Sequence, residues 1–171
     1  METRIPILYF FPPSFLCSNQ NVYNHQKYAS FFENENMNDL VSLFGGQAGT
    51  VWQILHERGP LTESELLALT HLSQPQLYAA IGWLARENKI RKENDAFQLG
   101  ETNLMSHIGK DAGKIWRTLE IWGEVDVQSL SRLSRIVEQD VFSAVGWLVR
   151  EGKVDGAIHT IDEKKILFWL K

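Results

Sequence analysis

Shifted by 64 residues with no gap, the middle of this sequence falls on its end, and that near-duplication restricts the fold more than any other feature. Ala48, Gly49, Val51, Trp52, Leu55 and Gly59 align with Ala112, Gly113, Ile115, Trp116, Leu119 and Gly123. Leu66 and Leu69 align with Leu130 and Leu133, and Ala80, Gly82, Trp83, Leu84, Arg86, Glu87 and Lys89 return as Ala144, Gly146, Trp147, Leu148, Arg150, Glu151 and Lys153. A fixed offset between similar segments marks a duplicated structural unit, and two copies suit a pseudo-dimer of domains better than a solenoid, which needs at least three. A chain of 171 residues has room for two small modules packed together. The expected organisation is a poorly ordered segment over residues 1–37, a first module over 38–106 and a second over 107–171.

Each copy reads as three helices and a hairpin. In the first, Ala48, Val51, Trp52 and Leu55 share one helical face, and Gly59-Pro60 ends that helix. A short extended stretch at Leu61 follows. Thr62 with Glu65 forms a capping box for a second helix carrying Leu66 and Leu69. Ser73 is the next N-cap, and Leu77, Ala80, Ile81 and Leu84 make the apolar stripe of a third helix that ends near Asn88. Residues 89–92 and 96–99 read as two strands around an Asn94-Asp95 turn. The second copy repeats the order, with Val125 as its short strand, Val141, Ala144, Val145 and Leu148 on its third helix, and a longer hairpin turning at Asp162-Glu163-Lys164. Its last strand, Ile166 to Leu170, is strongly apolar, and an apolar edge is a liability, so it is expected to be covered by the other copy or by a second chain. The expected fold is mainly α with small β-hairpins, an α+β arrangement of two tandem winged helix-turn-helix domains.

Ala48-Gly49-x-Val51-Trp52 opening the first helix, with Ile81-Gly82-Trp83-Leu84-Ala85-Arg86-Glu87-Asn88-Lys89-Ile90 closing the third, resembles the small prokaryotic winged helix-turn-helix domains of unknown function. The second copy matches as Ala112-Gly113-x-Ile115-Trp116 and Val145-Gly146-Trp147-Leu148-Val149-Arg150-Glu151-Gly152-Lys153-Val154. The resemblance spans about residues 38–171, although such domains are usually single modules. It implies the fold, an expectation of DNA binding, and no established activity.

Catalytic chemistry finds little support. Gly109-Lys110-Asp111-Ala112-Gly113-Lys114 partly resembles a phosphate-binding loop, but it has one residue too few between its glycines and Ile115 where Ser or Thr should reach the metal. It reads instead as the start of a helix. No Ser-His-Asp, Cys-His or paired-carboxylate set can be assembled, and His56, His71 and His107 lie near helix ends, where solvated or capping roles are usual. Neither CxxC nor HxxxH spacing occurs, so neither a metal nor a cofactor is expected. The lone Cys17 allows no internal disulfide, which suits a reducing, cytoplasmic setting. The apolar run Ile5 to Cys17 is broken by Pro6, Pro12 and Pro13 and is too short for a membrane helix. The chain is expected to be non-enzymatic and to need no membrane.

Two kinds of partner remain, DNA and protein. A winged helix that reads DNA lays the start of its third helix in the major groove and its wing on phosphates. On that geometry the candidate DNA-contacting residues are Gln74, Gln76 and Tyr78 for bases, and Lys89, Arg91 and Lys92 for the backbone. Arg132, Arg135, Arg150 and Lys153 are the candidates in the second copy. Against this, Glu138, Asp140 and Phe142 stand where Gln74, Gln76 and Tyr78 stand in the first copy, and two carboxylates repel phosphate. Residues 37–106 carry 5 basic and 8 acidic side chains, and residues 107–171 carry 10 of each. Neither copy has the cationic excess that drives nonspecific affinity. The fold favours a DNA-binding regulator, and the charge favours protein interaction or self-association. Trp52, Trp83, Trp116 and Trp147 are read as structural core, packed between helices through the gaps left by Gly82 and Gly146, rather than as a platform for bases.

Overall fold

The computed structural model describes residues 40–159 and 165–171. The expectations for residues 1–37 and for the Asp162-Glu163-Lys164 turn lie outside the described residues. Helix α1 (Leu40–Arg58) buries Leu43, Phe44, Ala48, Val51 and Leu55 on one face. Strand β1 (Leu61–Thr62) leads into α2 (Glu63–Thr70), whose capping box forms as the sequence predicts, with Glu65 accepting from the Thr62 N–H at 2.8 Å. Ser73 caps α3 (Gln74–Arg86). Strands β2 (Ile90–Glu93) and β3 (Ala96–Leu99) close the module around Asn94 and Asp95, both at positive φ (47° and 65°), the backbone of a type I′ hairpin turn.

The second copy repeats this order. A π-helical turn (Met105–Gly109) runs directly into α4 (Lys110–Trp122), followed by β4 (Val125–Asp126), α5 (Val127–Ser134), α6 (Glu138–Arg150), β5 (Val154–His159) and β6 (Lys165–Leu170). The stretch resembling a phosphate loop is wholly helical, as a helix start should be.

The short strand of each copy joins its hairpin, giving two antiparallel sheets of order β1-β3-β2 and β4-β6-β5. This corrects the expectation for the apolar last strand. β6 is no edge: it lies in the middle of its sheet, with Val125 opposite Phe168 on one side and Val154 opposite Leu170 on the other. Its neighbours come from its own copy.

The two copies meet at their third helices. α3 and α6 cross so closely that a Cβ added to Gly82 would lie 1.9 Å from the carbonyl oxygen of Ser143, and one added to Gly146 would lie 2.0 Å from that of Ala79. Ala79 and Ser143 correspond under the repeat, as do the two glycines, so the contact is isologous in the manner of a two-fold dimer. The glycines therefore make room for the opposing backbone and not, as the sequence suggested, for indole rings. The rings of Trp83 and Trp147 lie instead over Gly45 and Gly109, 3.4 Å and 3.6 Å from where their Cβ atoms would be. Leu40 also crosses the boundary, reaching toward Gly156 on β5. One continuous hydrophobic core runs through both copies.

Candidate functional site

The third helices and the wings are where a winged helix would meet DNA. α6 is open only in its first turn, where Glu138, Gln139 and Asp140 are half-buried; Val141 to Val149 are every one buried. α3 is nearly as enclosed, with Leu77 to Gly82, Leu84 and Ala85 buried. A helix apolar on all sides belongs to an interior, and here each third helix supplies the other's second wall.

Most of the candidate DNA contacts are already engaged within the protein. Gln74 donates to Glu63 Oε1 at 2.8 Å, and Tyr78 donates its hydroxyl to Glu63 Oε2 at 2.6 Å, so one carboxylate on α2 holds two of the three presumed base readers. Tyr78 is buried. That burial, and then the Glu63 carboxylate, push its phenol well above the usual tyrosine range. Gln76 accepts from the Ser73 N–H at 2.8 Å, completing the cap of α3.

The basic candidates face carboxylates in the same way. Arg150 bonds Glu87 at 2.7 Å, and its counterpart Arg86 bonds Glu151 at 2.7 Å. Each guanidinium also lies over an indole, Arg150 at 5.3 Å from the Trp83 centroid and Arg86 at 5.5 Å from that of Trp147. Lys89 adds to Glu87 at 2.9 Å and Lys153 to Glu151 at 2.8 Å. Burial pushes both carboxyls up, but the four donors outweigh it and hold Glu87 and Glu151 below the usual glutamate range. On the first wing Arg91 pairs with Glu93, while Lys92 lies 3.9 Å from Asp95 and over the Phe97 ring. Arg132 and Arg135 have no carboxylate partner among the described residues; Arg132 reaches only the Ser129 hydroxyl, at 3.4 Å.

The four tryptophans read as core do not behave alike. Trp147 is 8% exposed, Trp83 and Trp116 are half-buried against the core, and Trp52 is 40% exposed and stacks on His56 at 5.0 Å. Trp52 thus departs from the reading of all four as interior. Its place in the helical pattern was right, but it lies at the edge of the buried stripe, where the ring covers a neighbour on α1 instead of crossing to another helix.

Two features escaped the sequence. Ile121 and Trp122 end α4 as exposed apolar side chains, at 73% and 61%, where the first copy carries Glu57 and Arg58. The 64-residue alignment could have exposed that swap. His107, Asp111 and Asp140 also converge at the mouth of a cleft of about 480 Å³ between the start of α4 and the start of α6. Asp140 is too far along the chain from the other two for a spacing rule to find it.

Three helices closed by a small antiparallel sheet, present twice, define a pair of winged helix-turn-helix domains. Two segments, residues 37–99 and 102–168, match the family described as Winged helix-turn-helix domain (DUF2582). The chain belongs to that family, in two tandem copies. No curated protein matches it. Among the described residues no helix is long and apolar enough to cross a membrane.

Proposed function

We propose that the chain is a non-enzymatic binding protein that works through protein contact and does not read DNA with its third helices. The observation that carries this reading is the packing of α3 and α6 against each other, which buries most of both helices beyond their first turns and leaves for a major groove only half-buried first turns, where Gln74 is held by Glu63 and where Glu138 and Asp140 place carboxylates. Two further features agree with it. The cations of the first wing and of the crossing face internal carboxylates, so phosphate would have to compete with partners already in place. Ile121 and Trp122 offer exposed apolar surface of the kind that anchors protein interfaces and that phosphate does not reward.

Titrating the full chain with random-sequence duplex across a salt series tests the proposal. No binding is expected at about 50 mM salt, whereas affinity that falls steeply as salt rises would overturn it. A second reading, DNA binding from the outer side of the second copy, rests on Arg132 and Arg135, which have no carboxylate partner among the described residues, and on the frequent use of this fold for DNA. If duplex binds, loss of that binding in an Arg132→Ala, Arg135→Ala double variant would favour this second reading. The protein-contact arm is tested with Ile121→Glu and Trp122→Arg. Both positions are exposed, so folding should be unchanged while association with a co-purifying partner is lost.

A further inference from the structure

We propose that His107, Asp111 and Asp140 form a site for a divalent transition-metal cation of the zinc class, held by the second copy alone. His107 sits in the π-helical turn, Asp111 follows one turn later in α4, and Asp140 comes alongside from the first turn of α6. His107 Nε2 lies 3.5 Å from Asp140 Oδ1, and its Nδ1 lies 3.9 Å from Asp111 Oδ2. One ligand atom from each residue lies within 4.8 Å of the others. Around a tetrahedral zinc with bonds of about 2.0–2.2 Å, ligand atoms stand roughly 3.3–3.5 Å apart. Only one imidazole nitrogen can bind a given ion, so His107, 61% exposed, must turn to bring a single nitrogen to both carboxylates, and closing the trio from 4.8 Å requires a shift of about 1 Å or slightly more.

The chemistry of the three donors selects the ion. An imidazole with two carboxylates suits zinc and its neighbours in the first transition series, whereas calcium and magnesium prefer oxygen alone. Three protein ligands leave a fourth position for water from the cleft. Asp111 is already fixed: it is 7% exposed, and Lys114 Nζ holds its Oδ1 at 2.8 Å, leaving Oδ2 turned toward His107. Such an outer partner orients a ligating carboxylate. Lys110, Lys114 and Arg135 also line the cleft, and their charge sets the affinity below that of a structural zinc centre.

The first copy acts as an internal control. At the matching positions it carries Leu43, Gln47 and Gln76, and it builds the same sheet and the same order of helices, its first helix running on as α-helix where the second copy has the π-helical turn. The fold therefore does not require the three polar ligands of the second copy.

Calorimetric titration of Zn²⁺ into the full chain, free of any histidine tag, with Co²⁺ absorption as a second readout, tests the site. One ion per chain is expected. His107→Leu, which installs the residue of the first copy, and Asp140→Asn should each weaken binding by more than about tenfold. Zinc should raise the melting temperature of the parent chain and leave that of either variant unmoved, while the metal-free melts of all three coincide. Absence of any heat or spectral change at millimolar metal would overturn the proposal. Binding that both variants retain would do the same, because the ion would then sit on other histidines.

Discussion

Gly82 and Gly146 do at one atom what the whole crossing of α3 and α6 depends on. Alanine is the better helix former by about 1 kcal/mol, yet at either position its methyl would fall about 2 Å from a backbone carbonyl that cannot step aside. Gly82→Ala and Gly146→Ala should therefore each destabilise by about 2 kcal/mol or more, since overpacking outweighs propensity. Gly113, in α4 with nothing near its missing Cβ, gives the opposite sign: Gly113→Ala should stabilise by roughly 0.5–1 kcal/mol. Urea denaturation of the three variants measures both signs in one series. The tryptophans divide in the same way. Trp147→Ala should cost about 3–5 kcal/mol, and Trp52→Ala, losing one stacked contact with His56, about 0.5 kcal/mol. The sequence revealed that Gly82 and Gly146 leave a gap, but not what fills it, because the filler is a backbone 61 residues away in one case and 67 in the other.

Among the elements, those governed by neighbours in sequence were legible and those governed by distant partners were not. The capping box at Thr62, the N-cap at Ser73 and the Asn94-Asp95 turn need only a few adjacent residues, so they read directly. The apolar stripe of α6 was also visible, yet Phe142, Trp147 and Val149 off that stripe already hinted at a helix enclosed on every side. The candidate base readers were picked by their place on α3. The engagement of Gln74 and Tyr78 with Glu63 was hidden, because that carboxylate belongs to α2. At the ends of α3 and α6, the paired Glu87 and Glu151 give the crossing a pH dependence. Both carboxyls titrate below their unfolded value near 4.5, so their contribution is complete above that pH and disappears as acid carries the protein through the lowered folded values. A Glu87→Gln, Glu151→Gln double variant should be less stable than the parent at neutral pH and should lose less stability between about pH 5 and pH 3. Melting temperatures across that range provide the check.

On the scale of the whole molecule, neither copy has a complete interior of its own. Cut out at residues 102–171, the second copy would expose the apolar face of α6 that α3 now covers. It should either pair with itself or fail to stay folded, and sedimentation equilibrium distinguishes a dimer from an unfolded monomer. An isolated second copy that remains a folded monomer at high concentration would contradict this. The duplication was the strongest signal in the sequence, and it correctly announced two similar modules. The way they join could not be read from it, since a 64-residue offset says that units repeat and nothing about which faces meet.

Joining both partners of a two-fold contact in one chain has a consequence for how the protein can vary. In an assembly of identical subunits every substitution appears on both sides of the axis, so a charge useful on one flank is imposed on the other. Here the flanks are spelled separately. Under the 64-residue repeat Leu43 corresponds to His107, Gln47 to Asp111 and Arg58 to Trp122, so each side can be altered for a task of its own while the shared seam stays intact.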